Sequence, residues 1–212
     1  MIDPLGGPAF WWPFVLGFII SYLIGSIPFG LILTRLFGAG DLRAIGSGNI
    51  GATNVLRTGR KSLALATLVL DALKGALPVW LGGTFFGPDM AIVAGLGAVI
   101  GHCFPLWLKF NGGKGVATAA GVILTMTPLA GLLAFVVFLV IVTLSRYVSL
   151  GSILAAISAA PLAYMLGHIQ PAELYLLIAL IIIIKHHENI HRLIAGTESK
   201  LSFSKSSPPE EI

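Results

Sequence analysis

The chain has 212 residues, of which 56% are hydrophobic and only 10% charged, with a mean hydropathy of +0.94. Soluble domains carry roughly 25% charged residues, so the composition excludes a water-soluble globular fold and indicates a single-domain polytopic membrane protein. A net charge of +4 does not point to nucleic acid, because the basic residues sit at the ends of apolar runs, and a lone cysteine, Cys103, excludes an intrachain disulfide or a CxxC metal motif.

The apolar runs are continuous rather than alternating, which predicts an all-α bundle and not an outer-membrane barrel. Residues 1–8 carry no basic residue ahead of the first run, so they do not read as a cleaved signal peptide. A first span covers residues 10–37, with Trp11 and Trp12 at one interface, Arg35 at the other and a kink at Pro28. Further spans are predicted over 63–81 and 90–108. The long run from 116 to 144 is divided at Thr125-Met126-Thr127-Pro128, a break signal, into spans of 117–124 and 129–144. Spans over 150–166 and 172–184 complete a count of seven. Twelve of the thirteen Lys and Arg residues (all but Lys74) then fall on one side, and the opposite turns carry none. By the positive-inside rule the N-terminus is outside and the C-terminus cytoplasmic. The seven-helix domain is expected to occupy 1–196, and the Ser-rich segment 197–212 to be a disordered tail. No internal repeat suggests an inverted-repeat transporter.

Three polar islands interrupt the oil, and the topology places all of them on the cytoplasmic face. In residues 46–57, glycines including Gly48 keep bulk away from the main chain, while Ser47, Asn49, Asn54 and Arg57 supply donors suited to phosphate. The bland alternative is a solvated loop, and Arg43, Arg60 and Lys61 read as topology determinants. Residues 112–115 (Gly112, Gly113, Lys114, Gly115) read as a phosphate-cradling loop opening a helix. It is not a Walker A loop, whose spacing is missing, and a plain turn with a topogenic lysine is the competing reading.

In residues 185–192, His186 and Asn189 share a helical face, and Lys185 and Arg192 could equally meet anionic lipid. A metal site at His186, His187 and His191 is weighed against the missing HExxH and the lack of a second carboxylate-rich cluster; neither metal nor cofactor is expected. His102, near the inner end of the third span, is either a site residue or a hydrogen-bonded structural one. Asp71 and Lys74, three apart in a span, read as an internal ion pair. Ser149 could cap the sixth helix and also reach a ligand.

No aspartate follows Asp89, so the His-x4-Asp base of soluble-type glycerolipid acyltransferases cannot be built. A G-x-S-x-G elbow and the aspartate-rich motif of CDP-alcohol phosphotransferases are also missing. The residue set has many phosphate donors and no evident general base.

Residues 47–57, 109–118 and 186–196 resemble the three cytoplasmic motifs of the bacterial acyl-phosphate:glycerol-3-phosphate acyltransferases, the PlsY type. The similarity extends to 25–30, 71–75 and 146–150, with His187 standing where an arginine is common. The resemblance implies a seven-span bacterial inner-membrane enzyme. It would move an acyl chain from acyl phosphate to the 1-hydroxyl of glycerol 3-phosphate, giving lysophosphatidic acid and phosphate, the first step of phospholipid synthesis. Membrane lipid surrounds such an enzyme; protein partners are not indicated. On this reading Gly112, Gly113, Gly115 and Lys114 hold one phosphate, and Arg57 and Ser47 clamp the second. Asn189, His186 and Ser149 orient glycerol phosphate, and Gly48, Asn49, Asn54 and His102 line the phosphate sites. The donor phosphate would take the hydroxyl proton. A channel for a phosphorylated solute needs a polar path to the outer face, which the outer turns do not offer. A thioester-dependent acyltransferase is the other rival.

Overall fold

The structure, a computed structural model, describes residues 10–201. The expectations for residues 1–8 and for the tail beyond 201 fall outside the described residues. All regular structure among those residues is helical: α1 (Trp12–Gly25), α2 (Phe29–Leu36), α3 (Ala52–Leu56), α4 (Lys61–Phe86), α5 (Pro88–Cys103), α6 (Val116–Met126), α7 (Pro128–Ser145), α8 (Val148–Met165), α9 (Ile169–Lys185) and α10 (His187–Ile194).

The breaks follow the prolines. Pro28 lacks an N–H, and its ψ of 72° leaves the helical region, so the first apolar run stops at Gly25 and restarts at Phe29. Thr127, at φ −138°, closes α6, and Pro128 opens α7 at the position where a missing N–H costs nothing. The Thr127 hydroxyl lies 2.8 Å from the Tyr175 hydroxyl inside the bundle, which satisfies two polar groups far from water.

Among the described residues, five segments are long and apolar enough to cross a bilayer: Trp12–Leu36, Lys61–Phe86, Pro88–Leu108, Pro128–Ser145 and Val148–Met165. The α9–α10 pair qualifies as a sixth only when taken together across its 62° bend. The remaining apolar helix, α6, has 11 residues, about 16 Å of rise against ~30 Å of hydrocarbon. Five or six candidate spans are therefore evident by length, not the seven expected, and the shortfall lies in α6 and in the bend.

α1 packs on α5, α4 on both α5 and α6, α7 on α8, and α8 on α9. The core between them contains Val99, Val122, Tyr175, Ile178 and Ile182. Large side chains such as Leu132, Phe135, Leu139, Leu176 and Leu180 point outward, as a lipid-facing belt requires. A Cβ on Gly25 would lie 2.1 Å from the Ala98 carbonyl oxygen, so α1 meets α5 backbone to backbone. That contact seats the end of α5 beside the break in the first run. A second cluster (Leu31, Leu42, Ile50, Val55, Leu63 and Ala64) packs beneath the first polar island and gives it a floor.

Candidate active site

The first island is held by its own asparagines. Asn54 is 2% exposed. Its amide donates to the carbonyls of Leu42, Ile45 and Asn49 at 2.8–3.0 Å, and its Oδ1 accepts the Ser47 N–H at 3.2 Å. Asn54, expected as a phosphate ligand, braces the loop from inside in this structure, most of its hydrogen bonds going to main chain. Asn49 accepts the Gly51 N–H at 3.2 Å and is half-buried. Ser47 and Arg57 are left exposed. Gly46, at φ +54°, lies beneath the Arg57 side chain, which a Cβ there would meet at 2.7 Å. Gly48 turns the chain at φ +68°. The loop thus presents one hydroxyl and one guanidinium on a rigid base.

The second island differs from a cradle built of four free amides. Gly112 N–H donates to the Cys103 carbonyl at 3.2 Å and Gly113 N–H to the His102 carbonyl at 3.0 Å. Those two donors are committed to the backbone. Lys114 and the amides opening α6 at Gly115, whose φ is +83°, remain as anion-facing groups. His102 is 3% exposed and sits behind the loop. A Cβ on Gly113 would lie 2.1 Å from its Nε2. The imidazole packs against Gly113 from inside the bundle, as the structural reading of His102 requires.

The third island begins where α9 ends and the chain bends into α10 at His186, 3% exposed. His186 Nδ1 lies 2.8 Å from the Ile182 carbonyl. Burial is the main reason its pKa falls to about 4, so the ring is neutral near pH 7. Asn189 Oδ1 accepts a hydrogen bond from the Lys114 ammonium, joining the third island to the second.

The residue that sequence reasoning missed is Glu198. Its Oε1 accepts from Ser149 Oγ at 2.7 Å and from Asn189 Nδ2 at 2.6 Å, and its Oε2 accepts from Arg192 Nε at 2.6 Å. Burial opposes ionisation, but these three hydrogen bonds outweigh it and hold the carboxyl below its ordinary range. The only sequence signal is its place two residues past Gly196, whose φ of +69° ends α10 and turns the chain back. Ser149 is not the helix cap: Tyr147 holds that position, and the Ser149 hydroxyl is spent on Glu198. The tail segment therefore starts out packed, and Leu201 N–H donates to the Arg146 carbonyl at 2.8 Å.

Electrostatics relate the first island to the other two. Burial, then the Arg192 charge, lowers the pKa of Lys114, and the Arg57 guanidinium is close enough to add to that effect. Glu198 and Glu188 work in the opposite direction. Lys114 thus feels two guanidinium groups and two carboxylates from distant parts of the chain, a net positive balance suited to phosphate-bearing ligands.

Comparison with known proteins agrees with this chemistry. The family described as Glycerol-3-phosphate acyltransferase matches residues 15–196. A glycerol-3-phosphate acyltransferase of Mesorhizobium japonicum is 52% identical over 187 residues, covering 88% of this chain and 95% of the relative. One from Bradyrhizobium sp. strain BTAi1 is 50% identical over 199 residues, covering 94% and 100%. Among solved structures, the glycerol 3-phosphate form of PlsY, an integral membrane glycerol 3-phosphate acyltransferase, superposes with a TM-score of 0.85 at 41% identity, covering 90% of this chain and 96% of the other.

Proposed function

We propose that this chain, which belongs to the PlsY family of glycerol-3-phosphate acyltransferases, takes its acyl group from an acyl phosphate and releases lysophosphatidic acid and phosphate. The observation that carries this reading is the Lys114–Asn189 hydrogen bond formed within reach of the Arg57 charge. It gives one mouth enough positive charge for two phosphates at once. An acyl phosphate is already activated, so orientation and leaving-group stabilisation suffice for transfer. The 1-hydroxyl oxygen of glycerol 3-phosphate attacks the acyl carbon, the acyl–phosphate C–O bond breaks, and the departing phosphate takes the hydroxyl proton. A neutral His186 that is a weak base supports that route over a histidine base. Lys114 with the first turn of α6 holds one phosphate, Arg57 and Ser47 hold the other, and Asn189 orients the acceptor with Ser149 beside it.

The same reading orients the bundle, with the mouth on the cytoplasmic face of the bacterial inner membrane and the N-terminus outside. Seven crossings follow if α6 spans a locally thinned or polar-lined part of the bilayer and α9 crosses alone before the bend. The catalytic domain ends past the Glu198 contacts rather than at 196. Purified protein incubated with glycerol 3-phosphate and separately with acyl phosphate, acyl-CoA or acyl carrier protein tests the donor. Lysophosphatidic acid should form with acyl phosphate alone; efficient transfer from a thioester overturns the assignment.

A further inference from the structure

We propose that Asp71, Lys74 and His102 form a buried positioning cluster that fixes the Gly112–Lys114 turn against the break in the first span, and through it sets the grip on the phosphate that Lys114 holds. This rests on the acyl-transfer reading above and adds to it the device that holds the loop.

The three side chains are 2–3% exposed and lie within the bundle. Lys74 Nζ is 2.6 Å from Asp71 Oδ1 and donates to the Ile27 carbonyl at 2.8 Å, immediately before Pro28. It also sits 5.7 Å from the centre of the Phe29 ring, at the start of α2. On the other side, Asp71 Oδ1 is 3.8 Å from His102 Nδ1, which has no hydrogen-bond partner of its own. The opposite edge of that imidazole abuts Gly113, and the His102 carbonyl holds the Gly113 N–H.

The first span is tied to the first island at the same point, because a Cβ on Gly30 would lie 2.0 Å from the Ile50 carbonyl oxygen. A continuous line of contacts thus runs from Ile50 through α2, Lys74, Asp71 and His102 to Gly113. Charged groups buried in a membrane bundle are costly and rarely serve packing alone. Here they connect the bases of two loops that must face each other across the ligand.

The test uses the purified full chain with His102→Ala, His102→Gln and Asp71→Asn. His102→Ala should raise KM about tenfold or more for one of the two phosphate-bearing substrates, the one Lys114 holds, with a much smaller change in KM for the other. The bulkier, polar His102→Gln should recover most of that loss, and Asp71→Asn should resemble His102→Ala. Hydrogen exchange followed by mass spectrometry gives a readout that needs no turnover. In folded His102→Ala, amides of 104–115 should exchange faster than in the wild type. Folded variants with wild-type KM and unchanged loop exchange, showing only a lower melting temperature, would reduce the cluster to packing and overturn the proposal. If the substitutions prevent folding, saturating inorganic phosphate added to the wild type should slow exchange at both 110–115 and 26–30. Protection confined to the loop would refute the coupling. Wild-type protein that transfers no acyl group to glycerol 3-phosphate would defeat the functional reading instead, while loop exchange in His102→Ala would still judge the cluster.

Discussion

At Lys114 an ammonium that burial and Arg192 both press towards the neutral form is hydrogen-bonded to Asn189. A phosphate entering beside it favours the charged form and is gripped in return. Lys114→Ala and Arg57→Ala should each lower kcat/KM by roughly 100-fold or more while the protein elutes and melts as the wild type does. Near-normal turnover in either would remove that side chain from the site. His186 makes a pH prediction of opposite character. Its folded pKa of about 4 lies below the unfolded value near 6.5, so between those values the unfolded chain binds the extra proton. Stability from this residue is complete above pH 6.5 and is lost as pH falls towards 4, at up to about 1.4 kcal/mol per pH unit. Melting temperature should drop over that window in the wild type and less steeply in His186→Gln. The rate profile should have no limb between pH 4 and 6.5 that His186→Gln removes; such a limb would restore histidine as the base. Glu198 is the structural counterpart of these residues. Glu198→Ala strands Ser149, Asn189 and Arg192 without their acceptor and should cost about 2 kcal/mol or more, seen as a lowered melting temperature together with lost activity.

Among the helices, the close contact of α1 with α5 is the feature most open to test. Gly25→Leu would drive a side chain into the Ala98 backbone and should destabilise the bundle by about 1–3 kcal/mol. A melting curve in detergent checks it, with Leu139→Ala on the lipid face as the tolerated control. Element positions were largely legible in the sequence because prolines act locally. Pro28 and Pro128 stop helices by lacking an N–H, whatever surrounds them. The Asp71–Lys74 pair was legible for a similar reason, since a three-residue helical separation dictates the contact. The 62° bend at His186 was not, because no proline or glycine marks it. The bracing role of Asn54 was not legible, because an amide that braces a loop and an amide that binds phosphate look alike as letters. Which of them it is depends on Leu42 and Ile45, carbonyls supplied by a neighbouring turn. The amides of Gly112 and Gly113 were likewise counted as free, although the end of α5 folds back to accept them.

For the molecule as a whole, the sequence already located three separate polar islands, and charge asymmetry assigned them to one side. The joining of the second island to the third depends on a long-range contact, Lys114 with Asn189, that no local pattern encodes. Glu198 escaped notice for the same reason: its three partners come from α8 and α10, and only the folded chain brings them to a residue that reads as tail. The most direct test of the shared mouth is sided labelling with a membrane-impermeant thiol reagent. Single cysteines would be placed at the exposed positions Ser47, Asn111 and Glu188, with His168 as the opposite-side control, in a Cys103→Ala background. The account predicts that the first three react only from the cytoplasmic side, and that His168→Cys reacts only from the other. Reaction of Ser47→Cys, Asn111→Cys and Glu188→Cys from different sides of the membrane would contradict it.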